Sequence, residues 1–157
     1  GSFTSLRIAA SLAKGLAHGA GRPLYAVSSL VLAAAVLPPE LPAGRYLLHA
    51  DALRGERYVQ GVRRHADGQV ESDGPLSRVS VEALAAGSAP EQRVAVGQEL
   101  AALPSVAALW PDAAACLRVA GVWRNAPVSL SDWEPDYGRL AEAQVKWEAA
   151  HGVALPT

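Results

Sequence analysis

At 157 residues the chain has the length of one domain and enough material to bury a core. Half of its residues are hydrophobic and its formal net charge is −1, which excludes the global basic field that nucleic-acid binding usually needs. A single cysteine excludes an internal disulfide framework and fits a reducing cytoplasm.

The opening "GSFTSLRIAASLAKGLAHG" reads as a helix, with Ser2 or Thr4 as cap, Gly19 and Gly21 as the left-handed stop, and Pro23 beyond. Arg7, Ser11, Lys14 and His18 form one narrow polar stripe along it. The other outward positions are apolar or small, so such a helix must be covered on more than one side. "PLYAVSS" predicts a short buried strand, and "SLVLAAAVL" a helix capped by Ser28 or Ser29. Together they make an apolar run too short to span a bilayer, closed by two prolines and without the charged start of a secretory signal. The expectation is a cytoplasmic globular protein.

"PPELPAG" marks a subdomain joint between residues 1–40 and 41–157. After it, "RYLLHADA" and "ERYVQGVRRH" predict two strands in a hairpin around "LRG". The two Asp-Gly pairs of "ADGQVESDGP" predict turn, short strand and turn. "SVEALAAG" predicts a small helix from Ser80 to Gly87, "RVAVG" a buried strand and "QELAAL" a further helical turn or two. "PDAAACLRVAG" predicts a helix with Pro111 near its first turn and Gly121 at its end. "DYGRLAEAQVKWEAAHG" has helical propensity but a weak apolar stripe. Strands and helices mixed in this order give an α/β or α+β protein. The part before the prolines holds too little to close a core.

Motifs for chemistry are sparse. There is no G-x-S-x-G elbow, no P-loop and no G-x-G-x-x-G. His18, His49, His65 and His151 are scattered without metal-ligand spacing, and Cys116 sits in an alanine-rich segment suited to a packed, inert thiol. The "GSFT" turn aims free amides in one direction, as every capped helix does. Asp51, Arg54, Glu56 and Arg57 alternate in charge, as on a solvated hairpin face. Arg54, Arg57, Arg63, Arg64 and His65 offer at most an accessory phosphate contact.

"GSFTSLRIAASLAKGLAHGAGRPLYAVSSL" closely resembles the G-(S/A)-F-T-G-(L/V)-R-x-G…A-K-G-L-A…P-(L/V)-x-x-V-S-S-L signature of the TsaB (YeaZ) family. "HADALRGERYV" is similar to that family's D-A-R-x-x-E-V-Y hairpin, and "EPDYGRLAEAQVKW" to its closing P-x-Y-L-R…A-E segment. The first match is specific; the other two are weak alone. Ser5 replaces a usual glycine, Leu53 and Arg54 alter the pattern after Asp51, and Gly138 stands where leucine is common.

The resemblance implies an α/β actin-like, sugar-kinase-type (ASKHA) fold of two related subdomains. Residues 1–40 would be the remainder of the first and 41–157 the second, so that the chain corresponds to about the last two thirds of a family member. Gly1 and Ser2 match the motif. The resemblance also implies a non-catalytic subunit that supports TsaD, the enzyme that installs threonylcarbamoyl on the adenosine beside the anticodon. The first-subdomain helices would pack against TsaD or a second copy, through Phe3, Arg7, Ala10, Ser11, Lys14, Ala17 and His18. TsaE would join the same assembly, which uses ATP. The chain itself would bind no cofactor or metal, and would meet tRNA only through the complex. The competing expectation is an ATP-dependent kinase-like or glycoprotease-like enzyme of the same fold; an RNA-binding module built on "RGERYVQGVRRH" is the weakest.

Overall fold

A computed structural model describes residues 3–87, 92–121, 126–135 and 151–152. Contacts gather into two units, residues 25–128 and residues 1–24 with 129–157.

The larger unit is built on a mixed sheet. Strands β1 (Gly44–Asp51) and β2 (Glu56–Arg64) form the expected antiparallel hairpin, in register from Gly44 opposite Arg64 to Asp51 opposite Arg57. In its turn Leu53, Arg54 and Gly55 all have positive φ, at 65°, 54° and 77°. The Asp51 carboxylate accepts a 3.0 Å hydrogen bond from the Leu53 N–H and helps hold this unusual run. Strand β3 (Val70–Ser72) and strand β4 (Ser77–Ser80) both pair antiparallel with β2, along successive stretches of it. On the other side, β5 (Gln92–Val96) pairs parallel with β1, and β6 (Ala107–Leu109) parallel with β5.

Between β3 and β4 the backbone crosses close to β2 at Gly61, whose carbonyl accepts from the Asp73 N–H at 2.8 Å. A Cβ on Gly61 would lie 2.6 Å from the Asp73 carbonyl oxygen. Gly61→Ala must therefore shift the crossover, and it is expected to cost about 1–3 kcal/mol, read as a lower urea midpoint. A midpoint equal to that of the parent chain would contradict this packing.

The period of two sorts the strands' side chains onto two faces. Tyr46, Leu48, Val62 and Val94 join Val70, Ala115 and Val119 in one core with Leu30, Val31, Ala33 and Ala34 of helix α2 (Ser29–Ala34). Leu47 and Val59 lie on the opposite face, with Leu103, Leu100 and Leu84 of helix α3 (Val81–Ala86). The caps are those expected: Ser28 accepts from the Leu30 N–H at 3.3 Å, and Ser80 from the Ala83 N–H at 3.1 Å. Ser28 also donates to the buried Gln60 amide oxygen at 2.6 Å, and the Gln60 amide nitrogen donates to Ser72 at 3.0 Å. The start of α2 is thus tied across the sheet. Arg64 donates to the carbonyls of Pro38 and Leu41, and the Tyr46 hydroxyl to that of Pro42. These bonds fasten the proline-rich joint to β1 and β2, so α2 shares its core with the strands that follow the prolines.

Three expected elements differ. "PLYAVSS" is not a strand: no partner pairs with it among the described residues. "QELAAL" is not helical. Its Leu100 and Leu103 bridge each other across a tight turn, and Pro104 disfavours helical backbone at Leu103. "PDAAACLRVAG" forms a 3-10 helix over Ala113–Arg118, capped by Asp112, where a longer α-helix was expected. It stops because Val119 pairs with Val70 and the Ala120 N–H bonds the Val70 carbonyl at 2.6 Å. Strands β4 and β6 have three or four residues each, too few to show an alternation in the sequence.

In the smaller unit, helix α1 spans Phe3–Ala20. Gly21, at φ 58°, ends it, with Gly21 N–H to His18 carbonyl at 3.2 Å and Arg22 N–H to Ala17 carbonyl at 2.9 Å. That pair is the Schellman arrangement. Gly19 lies inside the helix. A turn over residues 129–133 belongs to the same unit, held by Ser129, which donates to the Asp132 carboxylate at 2.7 Å. Bonds from Ser129 and Ser131, and the Lys14 charge, hold the Asp132 carboxyl below its usual range. The Ser2 cap and residues 136–150 of the closing segment lie outside the described residues. Among the described residues, no helix is long and apolar enough to cross a membrane.

Candidate partner interface

Helix α1 carries every residue that the resemblance implicates in partner binding. Its 3.6-residue period keeps them on one side. Arg7, Ala10, Ser11 and Lys14 line a hollow of about 160 Å³ with Trp133, Glu134 and Pro135. The Lys14 ammonium lies 5.8 Å from the centroid of the Trp133 ring, within cation–π range. Ala17 is buried, Ala10 and Lys14 are half-buried, and Arg7, Ser11 and His18 are exposed. The side chain of Phe3 lies outside the described part of the structure.

The opposite side of α1 is apolar and faces solvent. Ile8, Leu12 and Leu16, one turn apart, are 64%, 62% and 66% exposed. Gly15 and Gly19 lie on the same side and have nothing within 4 Å of where a Cβ would stand. Three large apolar side chains in a row next to two glycines make a surface that another helix can approach closely. The sequence shows these residues as apolar, and their i, i+4, i+8 spacing was the available signal for adding them to the interface. Only the structure shows that they remain uncovered while the polar stripe meets the segment at 133–135.

The larger unit holds a second arrangement worth testing for chemistry. The hairpin register places His49, Asp51 and Arg57 on one sheet face. His49 is fully buried and Arg57 is 4% exposed, so the expected solvated hairpin face is overturned at Arg57. The cause is that this face is roofed by α3 and the Leu100–Leu103 turn. Arg57 Nη2 lies 3.0 Å from His49 Nδ1, and His49 Nε2 lies 3.0 Å from the Ser105 hydroxyl. A guanidinium only donates, so Nδ1 must accept and the ring proton must sit on Nε2. Nε2 then donates to Ser105, whose hydroxyl donates onward to the Leu103 carbonyl at 3.2 Å. Arg57 Nη1 stands 4.0 Å from the mostly exposed Asp51 carboxylate, and Arg57 Nε is buried without a hydrogen-bond partner.

This direction of donation decides the chemistry. An imidazole that activates a serine must accept its proton, whereas here Nε2 already carries one. A triad would place a carboxylate at Nδ1 to stabilise the imidazolium; this chain places a cation there. Burial, then the charges of Arg57 and Arg93, push His49 down to about 4 from 6.5. It is neutral at pH 7 and a poor base. Ser105 borders an open trough with Glu99, Leu100, Ala101 and Pro104, yet it has no activated neighbour there.

The His49 environment gives a pH dependence with a definite sign. Between about pH 4 and 6.5 the unfolded chain binds a proton that the folded chain does not, so stability falls as pH drops through that window. The loss amounts to roughly 3 kcal/mol. Urea unfolding at pH 7 and pH 4.5 checks it, with His49→Gln expected to flatten the slope. An equal slope in that variant would show that other groups carry the acid sensitivity.

The remaining candidates are engaged within the chain. Arg63 pairs with Asp73 at 3.6 Å and Glu71 at 4.0 Å, and His65 lies 3.2 Å from Glu71. Arg64 serves the joint. The accessory phosphate contact expected of this stretch has lost most of its cations to internal partners. Cys116 is half-buried in the 3-10 helix, and no group of three or more potential metal ligands occurs among the described residues.

Comparison with known proteins agrees with this architecture. A family model described as TsaD, tRNA N6-adenosine threonylcarbamoyltransferase, matches residues 1–116. A Pseudomonas aeruginosa structure described as an uncharacterized protein with similarity to peptidase YEAZ is similar at a TM-score of 0.69 and 27% identity, over 88% of this chain and 69% of that one. YeaZ from Pseudomonas aeruginosa is similar at a TM-score of 0.69 and 29% identity, over 87% of this chain and 69% of that one. No curated protein matches the sequence. The mixed α/β sheet is ASKHA-like, as the resemblance implied. On a match covering most of its length, and with YeaZ as a structural neighbour, the chain belongs to the TsaD family, tRNA N6-adenosine threonylcarbamoyltransferase.

Proposed function

We propose that this protein is a non-catalytic partner subunit in the threonylcarbamoyl modification of tRNA adenosine, docking on a TsaD enzyme through α1. The observation that carries the reading is the uncovered Ile8–Leu12–Leu16 stripe beside Gly15 and Gly19. Burying three such side chains against a partner is favourable by roughly 1.5–3 kcal/mol each. Arg7, Ala10, Ser11 and Lys14 lie on the other side of the helix with residues 133–135, and would make a separate contact. The Ser105–His49–Arg57 chain supports the non-catalytic part, because its proton runs away from nucleophile activation. In this reading ATP is consumed by a TsaE-type ATPase of the assembly, tRNA is met only through the complex, and the setting is cytoplasmic. A second copy of the chain competes with TsaD for the same stripe.

The test is a gene deletion in the source organism, with the tRNA nucleosides analysed by mass spectrometry and the full-length protein sedimented with TsaD. Loss of threonylcarbamoyladenosine together with a stable complex is the expected result. Intact modification and no association would overturn the proposal.

A further inference from the structure

We draw no further inference here: the strongest candidate, the open trough lined by Glu99, Leu100, Ala101, Pro104 and Ser105 beside the buried His49–Arg57 chain, carries nothing because its Ser105 hydroxyl is already engaged by His49 and the Leu103 carbonyl and nothing in the structure shows what fills it.

Discussion

Leu12→Asp is expected to weaken association with TsaD at least ~100-fold while leaving the fold intact. Leu12 is 62% exposed, so the substitution removes little internal packing. In the isolated chain its cost is the helix-propensity difference, about 0.5 kcal/mol. In a complex the same carboxylate would be taken out of water without a partner, and an uncompensated buried charge costs several kcal/mol. Titration of labelled protein with TsaD measures the affinity, and thermal unfolding of the variant alone supplies the control. Lys14→Glu makes the comparison informative, because Lys14 stacks on Trp133 on the other side of the helix. If Lys14→Glu abolishes association and Leu12→Asp leaves it unchanged, the partner lies along the polar stripe and the proposed apolar seat is wrong.

Arg57→Ala is expected to lower stability by roughly 2–4 kcal/mol. It opens a cavity where a side chain is 4% exposed and removes the donor from the buried Nδ1 of His49. Arg57→Met keeps most of the volume and removes the charge, so its cost should be smaller, about 1–2 kcal/mol. The two variants also share a readout that packing alone would not move. Arg57 contributes to the depression of His49, second to burial, and its removal lets the imidazole protonate at higher pH. The stability lost between about pH 6.5 and 4 should shrink in both variants, because the folded-state His49 moves back toward its unfolded value. An unchanged acid loss would mean that the Arg57–His49 contact is not electrostatically coupled, whatever the loss of stability at neutral pH.

These predictions draw on features that differ in how far the sequence announces them. The hairpin of β1 and β2 was legible because "RYLLHADA" and "ERYVQGVRRH" are strand-like runs on either side of "LRG". The caps of α2 and α3 were legible because Ser28 and Ser80 precede apolar runs. Each is a local matter: a side chain within a few residues of the backbone group it serves. "QELAAL" misled for the complementary reason. Its residues are good helix formers, but propensity differences stay below about 0.7 kcal/mol per residue. Burial of Leu103 and partial burial of Leu100 against the sheet, with Pro104 next, outweigh them. Arg57 misled more. In the sequence it sits among Asp51, Arg54 and Glu56 like any surface hairpin charge, and nothing local says that it is buried against His49.

The sequence by itself determined the α/β class, the hairpin, a glycine stop of α1 at Gly19 and Gly21, and the family, through "GSFTSLRIAASLAKGLAHG" and "AVSSL". Periodicity, capping and motif spacing are short-range properties, and a single chain read in order contains them. Only the tertiary structure decided which side of α1 is covered, which way the proton of His49 points, and that α2 shares the sheet's core. Those depend on separate elements of the chain meeting, as His49 meets Ser105. Such contacts follow from how whole elements pack, and no local signal records them.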